Sequence, residues 1–188
     1  MWHISFSTFA LCLLLLEIPG GNTTDYRIDA LSTIDILNRT CKRCAEESTD
    51  FSYNFCRTSL DAIPTSHIVN LHGLAVIGME LALQNATNTI SSIKSLLSVE
   101  TLDPFALACL QDCLELYLNA TVSLIDGVAA FLSEHYSVAN EKVSRVMKSS
   151  TTCEGLFAEK KGEVCPLARE NYNLYQLCNL ALCIIHLV

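Results

Sequence analysis

The feature that most constrains this chain is a set of apolar residues recurring every three or four positions over two long adjacent stretches. Such spacing places apolar side chains on one face of a helix, and the alternating steps suit an antiparallel helical bundle. The first stretch starts at Ile68 and continues with Leu71, Ala75, Met79, Ala82, Ala86, Ile90, Ile93 and Leu97. The second contains Leu107, Leu110, Leu114, Tyr117, Thr121, Leu124, Val128 and Phe131. The sequence therefore predicts two long neighbouring helices.

Further signals locate the starts of helices. Asp103 and Pro104 predict the start of the second helix, with Asp103 as N-cap and Pro104 as its first residue. Ser137 is predicted to cap a third helix and Pro166 to start a fourth. No stretch alternates with a period of two over a length that would suit a sheet. Residues 25–60 are interpreted as a separate unit of shorter helical pieces, so the predicted fold class is all-α.

The N-terminal segment has the pattern of a secretory signal peptide. Phe6 to Leu16 is an apolar run followed by Pro and Gly, too short to span a bilayer. We therefore expect residues 1–21 to be a signal peptide and residues 25–188 to form the mature domain; the alternative is a buried N-terminal helix. No later segment offers an uninterrupted apolar span, and no membrane contact is expected after cleavage. The apolar tail 177–188 is interpreted as a core helix.

Glycosylation sequons and cysteines support secretion. Asn-X-Ser/Thr sequons begin at four positions: Asn22, Asn38, Asn85 and Asn119. Asn119 is expected to point away from the apolar face of its helix. In a secreted protein, disulfides become the default interpretation of the ten cysteines.

The predicted bundle makes particular disulfides reasonable. Cys113 and Cys153 lie at similar distances before and after a predicted turn near His135. At about 1.5 Å of rise per residue they would sit at similar heights on antiparallel neighbours. Cys109 lies one turn before Cys113, and Cys165 directly precedes the fourth helix. Because both would lie at the same end of the bundle, we predict a further bond, Cys109–Cys165.

Several classes of function are excluded or disfavoured. The net charge of -8 does not suit a nucleic-acid-binding protein, which needs a basic face. No nucleophile elbow or phosphate-binding glycine loop occurs, and the four histidines after residue 21 lie on different predicted elements. Cys41 and Cys44 have zinc-ligand spacing, but no second such pair follows. We therefore expect no enzymatic activity, no cofactor and no metal site.

Three sets of short segments carry a family resemblance. They are Thr40-Cys41-Lys42-Arg43 with Tyr53-Asn54-Phe55-Cys56, Asp112-Cys113-Leu114-Glu115-Leu116-Tyr117, and Thr152-Cys153-Glu154. In order and spacing they resemble the plant invertase and pectin methylesterase inhibitor family over essentially the whole mature chain. Fragments such as Leu71-His72-Gly73-Leu74 are similar to members of the plane-tree pollen allergen type.

The resemblance implies a fold and an activity. The implied fold is an antiparallel up-down-up-down four-helix bundle over residues 66–188, extended by an N-terminal helical hairpin over 25–60. The implied disulfides are Cys41–Cys56 and Cys113–Cys153. The implied activity is inhibition of a plant cell-wall carbohydrate enzyme, an invertase or a pectin methylesterase, by stoichiometric non-covalent binding in the apoplast.

The resemblance also indicates where a target would bind. Invertase inhibitors of this family place a Pro-Lys-Phe tripeptide at the turn between the second and third bundle helices, where it enters the enzyme's active site. The matching positions are Glu134, His135 and Tyr136, so the aromatic is kept, the cation becomes a titratable His and the Pro is lost. A second candidate surface is a basic strip on the third helix, which is otherwise a solvated face. Its residues are Lys142, Arg145 and Lys148.

Two alternatives to an inhibitor function remain open. A small apolar-ligand carrier would use the bundle core, and a relative of a pectin methylesterase pro-region would lack inhibitory activity.

The cysteines left outside the implied bonds and the signal peptide are odd in number, so at least one thiol stays free or pairs with another molecule. They are Cys44, Cys109, Cys165, Cys178 and Cys183. Cys178 lies on an inward stripe and is interpreted as a buried apolar thiol.

Overall fold

All regular structure is helical in a computed structural model of the protein, which describes residues 36–99 and 101–188. Residues 36–47 belong to helix α1 and Tyr53–Asp61 form α2. A short 3₁₀ helix at Pro64–His67 leads into four long helices. These are α3 (Leu71–Leu97), α4 (Pro104–Leu132), α5 (Tyr136–Ala158) and α6 (Ala168–Leu187). The predicted all-α class is confirmed. The predicted signal peptide and Asn22 lie outside the described residues.

The four long helices form the predicted antiparallel bundle. α4 packs against α3 and α5, and α6 packs against the other sides of the same two helices. The largest side chains in the core are Tyr117, Phe131 and Phe157. Because the apolar stripes of all four helices meet there, burial of those stripes is the main source of stability.

Side chains cap both α3 and α4, but only the start of α4 agrees with the sequence prediction. Asp103 Oδ2 accepts hydrogen bonds from the backbone N–H of Phe105 (3.1 Å) and Ala106 (3.3 Å), which confirms the predicted cap. Asn70 caps α3 by accepting from Gly73 N at 3.0 Å. The predicted start at Ile68 was therefore wrong, and that side chain is 72% exposed.

The other two predicted starts were each wrong by two residues. α5 begins at Tyr136, and Ser137 lies inside it. The reason is that Glu134 has a φ of +61° and His135 N donates to Ala130 O at 2.9 Å, which closes the turn early. α6 begins at Ala168 because Pro166 lies within a turn in which Ala168 N donates to Cys165 O at 3.2 Å.

The N-terminal helices are joined to the bundle covalently. Cys41 and Cys56 link α1 to α2, with a Cα–Cα distance of 5.5 Å. Cys44 is bonded to Cys183 near the end of α6, with a Cα–Cα distance of 5.8 Å. These two bonds fix the hairpin against the C-terminal helix.

Helix α4 is long and apolar enough to cross a membrane by length and composition, although no uninterrupted apolar span was predicted after the signal peptide. Within the bundle, however, its residues Leu110, Tyr117 and Leu124 face the core. Asp126 on its outer side pairs with Lys142 of α5 at 2.7 Å. Helix α4 is apolar overall because it carries apolar side chains on its exposed side as well as in the core. The exposed ones are Leu118, Val122, Ile125 and Leu132.

Candidate functional site

The turn between α4 and α5 is exposed and well defined. Glu134 and His135 are both exposed, and Glu134 N donates to Phe131 O at 3.0 Å. The positive φ of Glu134 is a conformation that non-glycine residues adopt rarely. Together with the bond from His135 N to Ala130 O, it fixes the direction in which both side chains leave the turn.

Tyr136 occupies a different position from its two neighbours. Its hydroxyl lies 3.0 Å from Nε2 of His72, at the start of α3. Its ring contacts the ring of Phe131 with centroids 5.2 Å apart, and His72 contacts the same Phe131 ring at 5.6 Å. The aromatic residue of the candidate turn thus packs back onto the bundle, where it supports Glu134 and His135.

The structure gathers histidines that are far apart in sequence. His72 starts α3, His135 precedes α5 and His186 ends α6, so the antiparallel topology places all three at one end of the bundle. Nε2 of His186 lies 2.5 Å from Nδ2 of Asn140 on α5. Sequence reasoning missed this cluster, although the alternating directions of the helices contained the signal.

The basic strip on α5 is largely neutralised. Lys142 Nζ lies 2.7 Å from Asp126 Oδ2, and Arg145 Nη2 lies 2.7 Å from Glu141 Oε1. Lys148 is exposed further along the helix. Because two of its three charges are already paired, the strip offers less to an acidic partner than the sequence suggested.

The end of the bundle opposite the turn contains the bond between Cys113 and Cys153, with a Cα–Cα distance of 5.1 Å. The predicted Cys109–Cys165 bond was wrong, since both residues are free thiols. The reason is orientation: Cys109 Sγ points to Leu156 O on α5 (3.6 Å), whereas Cys165 Sγ accepts from Asn171 Nδ2 on α6 (3.5 Å).

The three described free thiols are buried. Burial raises the pKa of Cys109, and it raises the pKa of Cys165 to about 12. Burial also raises the pKa of Cys178, which lies inside the bundle as expected from its stripe. A thiol must ionise to act as a nucleophile, so these cysteines serve as small apolar core residues.

The sequence did not predict the Cys44–Cys183 bond. Cys44 lies one turn after Cys41 on α1, but only the docking of α1 onto α6 brings Cys183 within reach. Because Cys41 and Cys44 bond to different partners, neither can serve as a zinc ligand. No group of three or more metal-ligating side chains occurs among residues 36–99 and 101–188.

The sequons among the described residues differ in how exposed their asparagine side chains are. Asn119 is exposed on α4, as expected. Asn38 is half-buried, and its Oδ1 accepts from Arg57 Nη1 at 2.7 Å and from the hydroxyl of Tyr53 at 3.3 Å. Asn85 is also half-buried, with its amide oxygen buried. Of these three, Asn119 is the best placed for a glycan.

The bundle interior gives little support to an apolar-ligand carrier. The aromatic side chains of Tyr117, Phe131 and Phe157 fill it, and the cavities that are found lie between elements at the surface. One of about 180 Å³ adjoins the turn and is lined by His72, Phe131 and Tyr136 among others.

Comparisons with known proteins agree on one family. The family model for plant invertase/pectin methylesterase inhibitors matches residues 35–184. A Platanus acerifolia protein provisionally named an invertase inhibitor is 36% identical over 96% of this chain and 97% of its own. An Arabidopsis thaliana cell wall/vacuolar inhibitor of fructosidase is 30% identical over 89% of this chain and 91% of its own.

A solved structure is similar in fold. The crystal structure of a mutant form of a pectin methylesterase inhibitor from Arabidopsis superposes with a TM-score of 0.68. It is 20% identical, and the match covers 79% of this chain and 96% of that one. At this identity the likeness supports the helical bundle and nothing finer.

Proposed function

The chain belongs to the plant invertase/pectin methylesterase inhibitor family, and we propose that it inhibits a plant cell-wall carbohydrate enzyme by one-to-one non-covalent binding. The family consists of inhibitors and not of catalysts, which confirms that the chain is not an enzyme. The observation that carries the proposal is the family match over residues 35–184, within which α4 and α5 present an exposed, fixed turn.

We propose an invertase as the target. Two relatives that match over 96% and 89% of the chain are named for invertase and fructosidase. A pectinesterase inhibitor from Actinidia deliciosa is 27% identical over 72% of this chain, which keeps pectin methylesterase as the second candidate. A relative of a pectin methylesterase pro-region would inhibit neither enzyme, so measured inhibition separates that alternative from both.

The proposed location is extracellular. Residues 1–21 act as a signal peptide in this proposal, and the protein works in the apoplast with a glycan on Asn119. Three disulfides among the described residues suit an oxidising compartment. The cell-wall or vacuolar naming of the Arabidopsis relative is consistent with passage through the secretory pathway.

The proposed contact with invertase is made by the turn. His135 stands where related inhibitors place a Lys, and its exposed imidazole would meet acidic residues of the enzyme. An ordinary imidazole carries a charge only below about pH 6.5. A positive charge at this position would be attracted to a carboxylate, so we propose that affinity is greater in acid, where imidazoles are protonated, than at neutral pH. The negative charge of Glu134, next to His135, would be repelled by the same carboxylates.

The test is a titration of the purified protein against one cell-wall invertase, one vacuolar invertase and one pectin methylesterase at pH 5 and pH 7. We expect saturation at one inhibitor per invertase and stronger inhibition at pH 5. The variant H135K should inhibit equally at both pH values, and H135A should be weak at both. H186A is a matched control, because it removes a histidine at the same end of the bundle but outside the turn.

Three outcomes contradict parts of the proposal. Inhibition of pectin methylesterase alone would replace the invertase target. Full activity of H135A at pH 5, with an unchanged pH profile for H135K, would show that His135 is not the binding cation. Failure to inhibit any of the three enzymes would contradict the inhibitor function itself.

A further inference from the structure

A cavity of about 460 Å³ lies between α5 and α6, away from the turn. Its lining residues are Ser150, Thr151, Glu154, Ala168, Asn171, Tyr172 and Tyr175. Ser150 lies well into α5, so at the helical rise per residue the cavity is about 20 Å from Tyr136. The volume is within the range of small-molecule sites. The proposed inhibitory contact makes no use of this cavity.

The single charged residue in the lining is held in place by a buried amide. Asn171 is only 3% exposed, and its Nδ2 donates to Glu154 Oε2 at 2.8 Å. Its Oδ1 accepts from the hydroxyl of Tyr117 in the core at 2.7 Å. The carboxylate of Glu154 is therefore fixed at the cavity wall before any ligand arrives.

The charge of Glu154 is left without a cation. Within residues 36–99 and 101–188, no Lys, Arg or His nitrogen lies within 4.0 Å of its oxygens, whereas Glu141 on the same helix is paired with Arg145. A fixed, uncompensated carboxylate in a recess repels anions and attracts cations. A purely apolar ligand would remove water from the carboxylate without replacing it.

The walls beside this carboxylate are aromatic. Tyr172 is 58% exposed, and its hydroxyl accepts a hydrogen bond from the buried Gln176 at 3.2 Å. Gln176 is itself anchored by donating to Asp50 O at 2.9 Å. Tyr175 lies one turn further along the same helix. Tyrosine ring faces attract organic cations, and rings that are already held in place lose little entropy on binding.

From this arrangement we propose that the cavity between α5 and α6 binds a free organic ammonium ion. Its charge would lie against the carboxylate of Glu154, and its methyl or methylene groups would contact the rings of Tyr172 and Tyr175. This is a second binding site, separate from the turn, and it needs no contact with a target enzyme.

The test uses choline as the probe and 3,3-dimethylbutan-1-ol, its uncharged analogue of the same shape, as the control ligand. NMR spectra of the isotope-labelled protein at pH 7 should show choline shifts at residues lining the cavity and none with the alcohol. The variant E154Q should weaken choline binding about tenfold or more, because Gln keeps an acceptor for Asn171 but loses the charge. E141Q changes the net charge equally outside the cavity and should bind like the parent.

A second pair of variants tests the aromatic wall. Y172F keeps the ring and should bind choline like the parent, whereas Y172A should weaken binding about two- to fivefold, the size of an exposed cation–π contact. Equal shifts with choline and the alcohol, shifts only outside the cavity, or unchanged binding by E154Q would overturn the proposal. Capture of the protein by phosphatidylcholine vesicles would also overturn it, in favour of a lipid headgroup over a free ion.

Discussion

At the end of the bundle where α4 begins and α5 ends, the Cys113–Cys153 bond joins the two helices covalently. At the opposite end the α4–α5 turn depends on backbone hydrogen bonds, the His72–Tyr136 contact and packing on Phe131. We refer to these as the disulfide end and the turn end. The residues proposed to bind a target lie in a turn that only non-covalent contacts hold, although the Cys44–Cys183 bond joins α1 to α6 at the same end of the bundle.

Stability and target binding are assigned to different contacts in this fold. The disulfide and the buried Tyr117–Asn171 hydrogen bond can stabilise the domain without restricting the exposed side chains of Glu134 and His135. Weak contacts are sufficient at the turn, because they need only orient a short segment between two helices that are already fixed. We therefore expect changes at the disulfide end to alter stability and changes in the α4–α5 turn to alter inhibition.

The largest expected effect is the loss of stability when the Cys113–Cys153 bond at the disulfide end is removed. The double variant C113A/C153A opens a loop with a sequence separation of 40, and chain-entropy estimates give a loss of about 3–4 kcal/mol in the free energy of unfolding. Urea denaturation followed by circular dichroism measures it. Inhibition by the folded fraction should be unchanged, because the turn lies at the other end.

The matched control for this variant is C109A, which removes a buried free thiol from the same end of α4. It should lose clearly less stability than the double variant, since it closes no loop. An equal loss in the two proteins would mean that packing, and not the disulfide, stabilises this end.

The second effect concerns the buried hydrogen bond near that disulfide. Y117F removes the hydroxyl that donates to Asn171 Oδ1 in the core and leaves that oxygen without its donor. A buried unsatisfied acceptor costs about 1–3 kcal/mol, which thermal or urea unfolding will detect. We expect inhibition to stay at the parent level. A loss below about 0.5 kcal/mol would show that the oxygen finds another donor.

Helix positions and the core could be predicted from sequence, because both follow from local periodicity and capping. The N-cap Asp103 and the apolar stripe through Tyr117 and Phe131 illustrate this. Orientation between helices could not be predicted in the same way. Cys109 and Cys165 lie at the same end of the bundle, as the topology requires, but their sulfurs point to different neighbours.

At the candidate site, too, contacts between helices could not be predicted from the sequence. The turn Glu134 to Tyr136 was predicted from a family resemblance, but its contact with His72 depends on how the start of α3 docks beside it. The Cys44–Cys183 bond likewise depends on the docking of α1 onto α6, and no spacing within either helix encodes it. Pairings between elements distant in sequence require the tertiary structure.

The smallest expected change in stability belongs to the turn end, where the effect on function should be largest. Y136F removes the hydroxyl that contacts His72 Nε2 at 3.0 Å but keeps the ring on Phe131. His72 is exposed, so water replaces the lost partner and the cost is about 0.5–1 kcal/mol at most. Because Tyr136 supports the residues before it, we expect severalfold weaker inhibition of invertase.

The matched control is Y53F, which removes a tyrosine hydroxyl that donates to Asn38 Oδ1 in the hairpin and is not part of the turn. It should inhibit like the parent. The variant H72F removes the other half of the contact, and its effect on inhibition should not add to that of Y136F if the two residues act through one hydrogen bond. Additive losses in the double variant, or parent-like inhibition by Y136F, would show that the turn keeps its orientation without this contact. In that case the backbone bond from His135 to Ala130 and the packing of Phe131 would be sufficient to position it.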